Sequence, residues 1–315
     1  MKKSSRSRIG AAAAGALAIT LMSAFAAAPA LGAGAATVHV HHKALPLSSI
    51  RPSSPMKAIG ATPGTATLAP NSVVKVESEN WAGYVASVGT TTFRFVAANF
   101  YVPQLDCRGV TNPNGAFSAH WVGLDGFRAT SSTLEQVGLV AGCENSTTPV
   151  LAPFWQMLPL GPRFPSIAVH PGDAISMHVF FNPSDHRFTV SFSDLTDGLS
   201  FTATRSCPSG VSCRRNSAEA ISEAPFDTST SAFLPLADFG AAAFDNVMIT
   251  NTTGTHHGGL QSSFWNTHQI TQAAGSNTNP DLTGAFLPEG TILDVPTPLF
   301  DQNTYLNYWQ PANAG

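Results

Sequence analysis

Charged side chains are scarce in this sequence. They make up 11% of the 315 residues, against about 25% in an average globular domain. Residues 1–76 contain eight Lys or Arg and no acid, whereas residues 77–315 contain eight Arg, no Lys and nineteen acids, which gives that part a formal charge of −11. An acidic body argues against a nucleic acid as its partner. The basic leader is instead a candidate ligand of the body.

Long helical patterns are also missing. No window of about twelve residues in the body has a strong 3.6-residue apolar period, and beyond the N-terminus no apolar run is long enough to span a bilayer. Short runs rich in Val, Phe, Thr and Ser recur instead, and Gly, Pro, Asn and Asp separate them. This pattern is typical of an all-β sandwich or barrel.

The alternation of polar and apolar residues predicts strands along most of the body. They are expected near 80–88, 91–101, 117–124, 133–140, 152–158, 166–170, 174–182, 187–193, 199–205, 218–223, 240–250, 263–271, 283–286 and 291–294. Residues 251–315 are expected to form long loops around one or two strands, followed by a closing strand that includes Tyr305 and Trp309.

The first 35 residues are typical of an export signal. Four basic residues precede an Ala-rich apolar run over 9–28, and small residues at 28–30 and 33–35 offer cleavage sites. An uncleaved membrane anchor is the alternative, since about twenty apolar residues can cross a bilayer. We expect removal of the signal, and therefore a secreted protein without membrane contact.

Residues 36–76 are rich in Pro, Ser, Thr and Ala and carry Lys43, Arg51, Lys57 and Lys75. They contain little that could build a core. We interpret them as a flexible basic prosegment that lies on an acidic cleft and loosens when the carboxylates of that cleft protonate. A plain linker is the alternative. The body, residues 77–315, is then a single domain, and we expect it to be a monomer.

Cysteine is rare, with four residues in the whole chain, all of them in the body. An even number outside the cytosol suggests disulfides, and three pairings are possible. We prefer Cys207–Cys213, which closes a short loop, together with Cys107–Cys143. No Cys-x-x-Cys motif indicates zinc, and neither a metal nor another cofactor is expected.

Gln136 and Glu223 could form a catalytic pair. A carboxylate can act as a general base towards water and then as an acid towards a leaving group, and an amide can donate to a developing oxyanion. If their strands are neighbours, the two side chains meet in one cleft. Alternation places Gln136 opposite to Glu135, and Glu219 on the same face as Glu223. Taken alone, such residues more often belong to the wet face of a sheet.

Six short motifs follow one another along the chain. They are Asn80-Trp-Ala-Gly83, Phe100-Tyr-Val-Pro103, Trp121-Val-Gly-Leu-Asp-Gly126, Leu134-Glu-Gln-Val-Gly138, Pro171-Gly-Asp173 and Ala218-Glu-Ala-Ile-Ser-Glu223. In this order they resemble the motifs of the glutamic endopeptidases, also called eqolisins, which are secreted, act in acid and have a two-sheet β-sandwich. The resemblance covers about residues 78–226, is closest to the bacterial variant, and implies an antiparallel, concanavalin-like jelly roll that hydrolyses polypeptides.

The resemblance also implies roles for single residues. Gln136 and Glu223 match the catalytic glutamine and glutamate, so Glu223 would activate water and Gln136 would stabilise the oxyanion. A base that works in acid needs a pKa at or below the ~4.3 of a free Glu. The positions that match site-lining residues are Trp81, Trp121 and Asp125, and Gln156 falls where fungal members carry a glutamate.

Other functions remain open at this point. A glycan-binding or glycan-hydrolysing sandwich could use Glu219 and Glu223 as paired carboxylates, and a peptidase-like domain could have lost activity and only bind. A serine hydrolase is disfavoured because no Gly-x-Ser-x-Gly elbow is present. A metal site built from His256, His257 and His268 lacks the His-Glu-x-x-His helix.

Overall fold

The computed structural model describes residues 49–52, 54–60, 72–87, 89 and 92–315. The predicted signal peptide and the rest of the predicted prosegment lie outside the described residues. One 3-10 turn, Pro311–Ala314, follows the last strand, and no helix within these ranges is long and apolar enough to cross a membrane. The strands are β1 (Ile50–Arg51), β2 (Val73–Ser78), β3 (Trp81–Ser87), β4 (Phe93–Tyr101), β5 (Ala116–Leu124), β6 (Glu135–Asn145), β7 (Thr148–Met157), β8 (Ala174–Asn182), β9 (Arg187–Asp194), β10 (Ser200–Ser206), β11 (Ser217–Glu223), β12 (Phe226–Asp227), β13 (Ala232–Phe233), β14 (Ala241–Asn251), β15 (His257–Gly258), β16 (Asn266–Ala273), β17 (Ile292–Pro296) and β18 (Tyr305–Trp309).

Fifteen strands form one hydrogen-bonded sheet, and its main path runs β10-β9-β8-β4-β14-β18-β17-β16-β3-β11-β5-β6-β7. Among the described strands, all pairings are antiparallel except the parallel pair of β2 with β16. The sheet curls over, so that β4, β8 and β9 pack on β5, β6 and β11. Strands β1, β12 and β13 form a separate small sheet. The predicted all-β, two-layer sandwich is confirmed.

Alternation along the strands places apolar side chains between the two layers. The strand β9, for example, buries Phe188, Val190 and Phe192 in this core. The opposite layer contributes Val122, Val137, Leu139, Ala218 and Ala220 to the same core. Burial of aliphatic and aromatic side chains at ~25 cal/mol per Å² is the main force that holds such layers together.

A second apolar cluster covers the other face of the layer β3-β11-β5-β6-β7. We call this surface the site face. It contains the buried side chains of Trp81, Trp121, Val140, Phe154 and Ile221. Residues 49–52 and 54–60, which we call the strap, lie against it. Strand β1 pairs with β12, and the strap residues Ile50 and Met56 are 4% and 7% exposed within this cluster.

Part of the predicted prosegment is therefore not a flexible tether. Besides β1, the strap is held by backbone hydrogen bonds from Met56 N to the Gly126 oxygen (3.0 Å) and from Ile59 N to the Glu77 oxygen (3.0 Å). Strand β2 also crosses the predicted boundary at residue 76. The sequence did not reveal this order because the strap forms it with partners that are distant in the chain.

The disulfides Cys107–Cys143 and Cys207–Cys213 are both formed. This is the pairing that the sequence analysis preferred. The first disulfide ties β6 to the segment after β4, and the second closes a loop between β10 and β11.

Two predicted strands are absent. Residues 166–170 form no strand, because Pro162, Pro165 and Pro171 around them cannot donate to a ladder. Residues 283–286 form a turn instead, in which Asp281 Oδ1 accepts hydrogen bonds from the backbone of Thr283, Gly284 and Ala285. A local side-chain acceptor competes there with sheet pairing.

The C-terminal region does more than close the sandwich. Strands β16, β17 and β18 lie in the middle of the sheet path and connect the two layers. Strand β18 pairs with both β14 and β17. Tyr305 on β18 donates its hydroxyl to the Ala220 oxygen on β11 (2.6 Å), so this region supports the strand that carries Glu223.

Candidate active site

The strands that carry Gln136 and Glu223 are not neighbours, contrary to the condition stated from the sequence. Glu223 ends β11, which pairs with β3 and β5, and Gln136 lies on β6, the next strand beyond β5. Strand β5, which carries Trp121, lies between them. Pairing order among distant strands is set by the packing of the whole sheet and does not follow from alternation.

Register places both side chains on the site face. Glu223 is opposite Ala119, and Ala119 is opposite Val140. Gln136 is four positions from Val140 along β6, so the two side chains point to the same face of the sheet, the site face. In a flat sheet the two Cα atoms would be ~13 Å apart along the strands and ~10 Å across them. The pair can therefore meet through a ligand that lies between them rather than by direct contact.

The Glu223 carboxyl is fully buried and accepts hydrogen bonds on both oxygens. Its Oε1 accepts from Asn80 Nδ2 (3.0 Å), from the strap backbone at Ser54 N (3.0 Å) and from Ser54 Oγ (3.3 Å). Its Oε2 accepts from Trp121 Nε1 at 3.0 Å. All of these donors are neutral, so the carboxyl is positioned by hydrogen bonds and not by an ion pair.

Burial raises the pKa of Glu223 well above its ordinary value, and the hydrogen bonds from Ser54, Asn80 and Trp121 oppose this rise. The requirement of a pKa at or below ~4.3 is thus not met in the strap-covered state. The cause is desolvation of the charged form.

Trp81 and Trp121 pack edge to face, with ring centroids 5.0 Å apart and an interplanar angle of 76°. Trp81 Nε1 donates to the Ser54 oxygen at 3.1 Å. Trp121 lies opposite Gly138, where a Cβ would come within 2.5 Å of the Trp121 Cβ. The glycine of the Glu-Gln-Val-Gly motif therefore makes room for the indole that orients Glu223.

Gln136 is fully buried, and its Nε2 donates to Gln156 Oε1 at 3.4 Å. Gln156 in turn donates to the Leu160 oxygen at 2.9 Å. Because the two glutamines are opposite each other on β6 and β7, Gln156 can orient the Gln136 amide. The structure thus brings together Gln136 with Gln156, and Glu223 with Trp81 and Trp121.

Asp125 does not contact Glu223. It has a positive φ of 77° at the end of β5. Its Oδ2 accepts from Thr133 Oγ1 (2.8 Å) and from the backbone nitrogens of Arg214 (2.7 Å) and Arg215 (3.0 Å). Asp125 thereby ties the loop after β5 to the segment before β11, and the next residue of that loop, Gly126, accepts from the strap.

Two further buried carboxyls surround Asp125. Burial raises the pKa of Glu219 and of Glu135 well above the ordinary value, and the nearby Asp125 raises both further. Glu219 is on the site face: it lies opposite Gly123 on β5, and Gly123 lies opposite Gln136 on β6. Glu135 points to the other face. Arg215 lowers the pKa of Glu135 but does not outweigh burial.

His120, which precedes Trp121 on β5, does not lie on the site face. His120 is in the core between the layers, where Ser118 Oγ and Ser222 Oγ lie 3.1 Å and 2.8 Å from its ring nitrogens, and burial lowers its pKa to about 3. It is therefore a packed residue. In the described part of the chain, the group with metal-ligand spacing consists of the exposed His170 and Asp197 and the buried Asp173, with ligand atoms within 4.8 Å of one another.

The sequence profile of the peptidase A4 family matches residues 79–285, which include Asn80, Trp81, Trp121, Gln136 and Glu223. The chain belongs to this family of glutamic endopeptidases. The resemblance stated from the motifs is thereby confirmed. Comparison with curated protein sequences gives no significant match.

Solved structures of glutamic peptidases share the fold. Scytalido-glutamic peptidase, crystallised with a transition state analog inhibitor, is 21% identical with a TM-score of 0.56, and the match covers 74% of this chain and 98% of that one. The eqolisin SCP-B, in a complex with the tripeptide Ala-Ile-His, is 20% identical with a TM-score of 0.51 and the same coverage. At this identity the likeness is evidence of the fold alone.

Two residues at Glu223 were not singled out from the sequence. Asn80 stands in the Asn-Trp-Ala-Gly motif, so its position in a matched motif was the available signal. Ser54 lies in a stretch without regular pattern, and no local signal could have placed it against a residue 169 positions away.

Proposed function

We propose that this glutamic peptidase is a secreted, acid-acting endopeptidase in which Glu223 and Gln136 activate water for attack on a peptide bond. The observation that supports this most is the environment of Glu223. Its carboxyl is held by Asn80 and Trp121 on the same sheet face as Gln136. Neutral donors fix the direction of its lone pairs without a counter-ion that would prevent it from acting as a base.

The reaction begins with the strap displaced and a peptide on the site face. Ionised Glu223 removes a proton from a water molecule, which attacks the scissile carbonyl. The Gln136 amide, oriented by Gln156, donates to the oxyanion. Glu223 then gives its proton to the departing nitrogen, so that two products leave and the carboxylate is restored. The chain's own residues need no metal and no covalent intermediate for these steps.

The same proposal includes synthesis of the protein as an exported zymogen, and it includes activity of the mature enzyme as a monomer. The leader has the charge and apolar pattern of an export signal. Two disulfides are compatible with an oxidising compartment. The strap contacts to Glu223 support the zymogen, because they cover the carboxyl that must bind water.

Glu223→Gln is the direct test. The purified protein is incubated with denatured casein at about pH 4, below the pKa of a free Glu, with pepstatin present, and the mature N-terminus is determined. We expect cleavage by the natural chain and none by the variant, with unchanged circular dichroism and unfolding midpoint. The exposed Glu289→Gln is the matched control. A folded Glu223→Gln protein that retains most of the proteolysis would refute the assignment.

A further inference from the structure

We propose that the strap binds the site face in the direction and register of a substrate, with Ser54 in the place of the catalytic water, and that its prolines keep it from being cut there. This inference rests on the proposed function of Glu223. It adds the N-to-C direction in which a peptide binds, the residues of the chain that act as the inhibitor, and the reason that these residues are not cut as a substrate.

The backbone contacts define the direction of the strap. At its N-terminal end, Ile50 and Arg51 pair antiparallel with β12, and Thr228 N donates to the Ser49 oxygen at 3.0 Å. At its C-terminal end, Met56 N donates to the Gly126 oxygen at 3.0 Å. Main-chain bonds at both ends are the usual way in which an extended peptide adds to a sheet. Substrates are then expected to run from β12 towards Gly126.

Further bonds hold the strap beyond Met56. Lys57 N donates to Asn80 Oδ1 at 2.8 Å, and Glu79 N donates to the Lys57 oxygen at 2.8 Å. The Lys57 ammonium lies 2.5 Å from the Glu79 carboxylate. Asn80 therefore binds the strap with its oxygen and Glu223 with its nitrogen, which couples the ligand to the catalytic carboxyl.

Side chains anchor the strap on either side of Ser54. Ile50 and Met56 are buried among the apolar residues of the site face, and Pro52 is buried as well. Met56 follows Ser54 by two residues and Ile50 precedes it by four. The positions flanking the catalytic carboxyl are thus apolar subsites, and aliphatic or thioether side chains there should favour binding of a substrate.

Ser54 leaves no place for water on Glu223 Oε1. An ionised carboxylate has about four acceptor positions, two on each oxygen. Three hydrogen bonds end on Oε1, from Ser54 N, Ser54 Oγ and Asn80, whereas Oε2 accepts one, from Trp121. Ser54 therefore occupies on Oε1 the position that the catalytic water would take, and Oε2 keeps one acceptor position beside the indole.

The prolines explain why the strap is not a substrate at this point. Pro52 and Pro55 flank Ser54, and their nitrogens carry no hydrogen. The ring of Pro55 also restricts the backbone of Ser54, whose carbonyl oxygen is held by Trp81 Nε1 at 3.1 Å. The peptide bond that follows Ser54 is thereby fixed with its oxygen on the indole, and rotation towards Gln136 is prevented.

The test uses the full chain with Pro52→Ala and Pro55→Ala together. At about pH 4 we expect this variant to cut itself between residues 51 and 56, as measured by mass spectrometry of the fragments, while the natural chain is not cut there. Pro113→Ala, at an exposed proline, is the matched control, and addition of Glu223→Gln should abolish the new cuts. The proposal would be overturned if the natural chain were cut between residues 51 and 56, or if an active double variant remained intact there.

A second measurement does not depend on cleavage. Replacing Ile50 and Met56 by Ser removes two buried anchors, so the uncut chain should hydrolyse a short peptide at least about tenfold faster than the uncut natural chain. Mass spectrometry of the intact proteins verifies that neither chain has been processed, and Leu195→Ser, at an exposed apolar side chain, is the control. Equal rates would contradict the proposal. If the natural chain cleaves nothing even after its leader is removed, the proposed function itself fails, which is a separate outcome.

Discussion

Glu135→Gln should leave the stability of the protein unchanged at pH 3 and raise it, relative to the natural chain, above about pH 4.3, the pKa of a free Glu. Glu135 is fully buried, and burial raises the pKa of its carboxyl well above the ordinary value. The folded protein therefore keeps a proton on Glu135 that the unfolded chain releases as the pH rises. Glutamine has nearly the same shape and does not titrate.

The magnitude follows from linkage. A carboxyl with a raised pKa in the folded state contributes its full stability below the unfolded pKa and loses ~1.36 kcal/mol per pH unit as the pH rises towards the folded pKa. At pH 3 the two chains should have the same unfolding free energy. At two pH units above 4.3, the unfolding free energy of the natural chain should be up to ~2.7 kcal/mol lower than that of the variant. His120 acts in the opposite direction, since its pKa is lowered to about 3, but it is present in both chains and cancels.

The assay is urea unfolding followed by tryptophan fluorescence at pH 3, 4.5 and 6. Both chains carry Glu223→Gln, which prevents self-digestion. Glu289→Gln, at an exposed carboxyl, serves as the control and should follow the natural chain. Curves of unfolding free energy against pH that run parallel for Glu135→Gln and the natural chain would refute the reasoning. Glu219 and Asp294 have pKa values raised by the same cause, so each should also lose stability as the pH rises, whereas the lowered pKa values of His120 and His268 act in the opposite direction.

Three further outcomes are expected. Gln136→Ala should lower kcat by about 10²–10³, as loss of one oxyanion donor does, while Gln104→Ala at the surface should leave kcat unchanged in the casein assay. Trp121→Phe removes the donor to Glu223 Oε2, so the pKa of Glu223 should rise and the acid limb of the pH–rate profile should move to higher pH; Trp155→Phe should not move it. Replacing Cys107 and Cys143 by Ser should cost about 4 kcal/mol of unfolding free energy, against about 2 kcal/mol for Cys207 and Cys213, because the first disulfide closes the longer loop; equal losses in urea unfolding would contradict this ranking.

Local pattern was sufficient for much of the fold. Alternation predicted most of the long strands, and it placed Glu219 and Glu223 on one face and Gln136 opposite to Glu135, as the register shows. It was not sufficient where a side chain or a proline competes with the ladder, as at Asp281 and in residues 162–171.

The sequence by itself determined the class of fold and the family, because periodicity and short motifs are local properties of the chain. The short spacing of Cys207 and Cys213 favoured one of three possible disulfide pairings, and the structure has that pairing. Only the tertiary structure decided that β5 separates the two strands of the catalytic pair, that Asn80 and Trp121 hold the Glu223 carboxyl, and that Ser54 lies upon it. These contacts join segments up to 169 positions apart. Their formation depends on how the whole sheet curls and which apolar faces it must cover, and no local pattern encodes that choice.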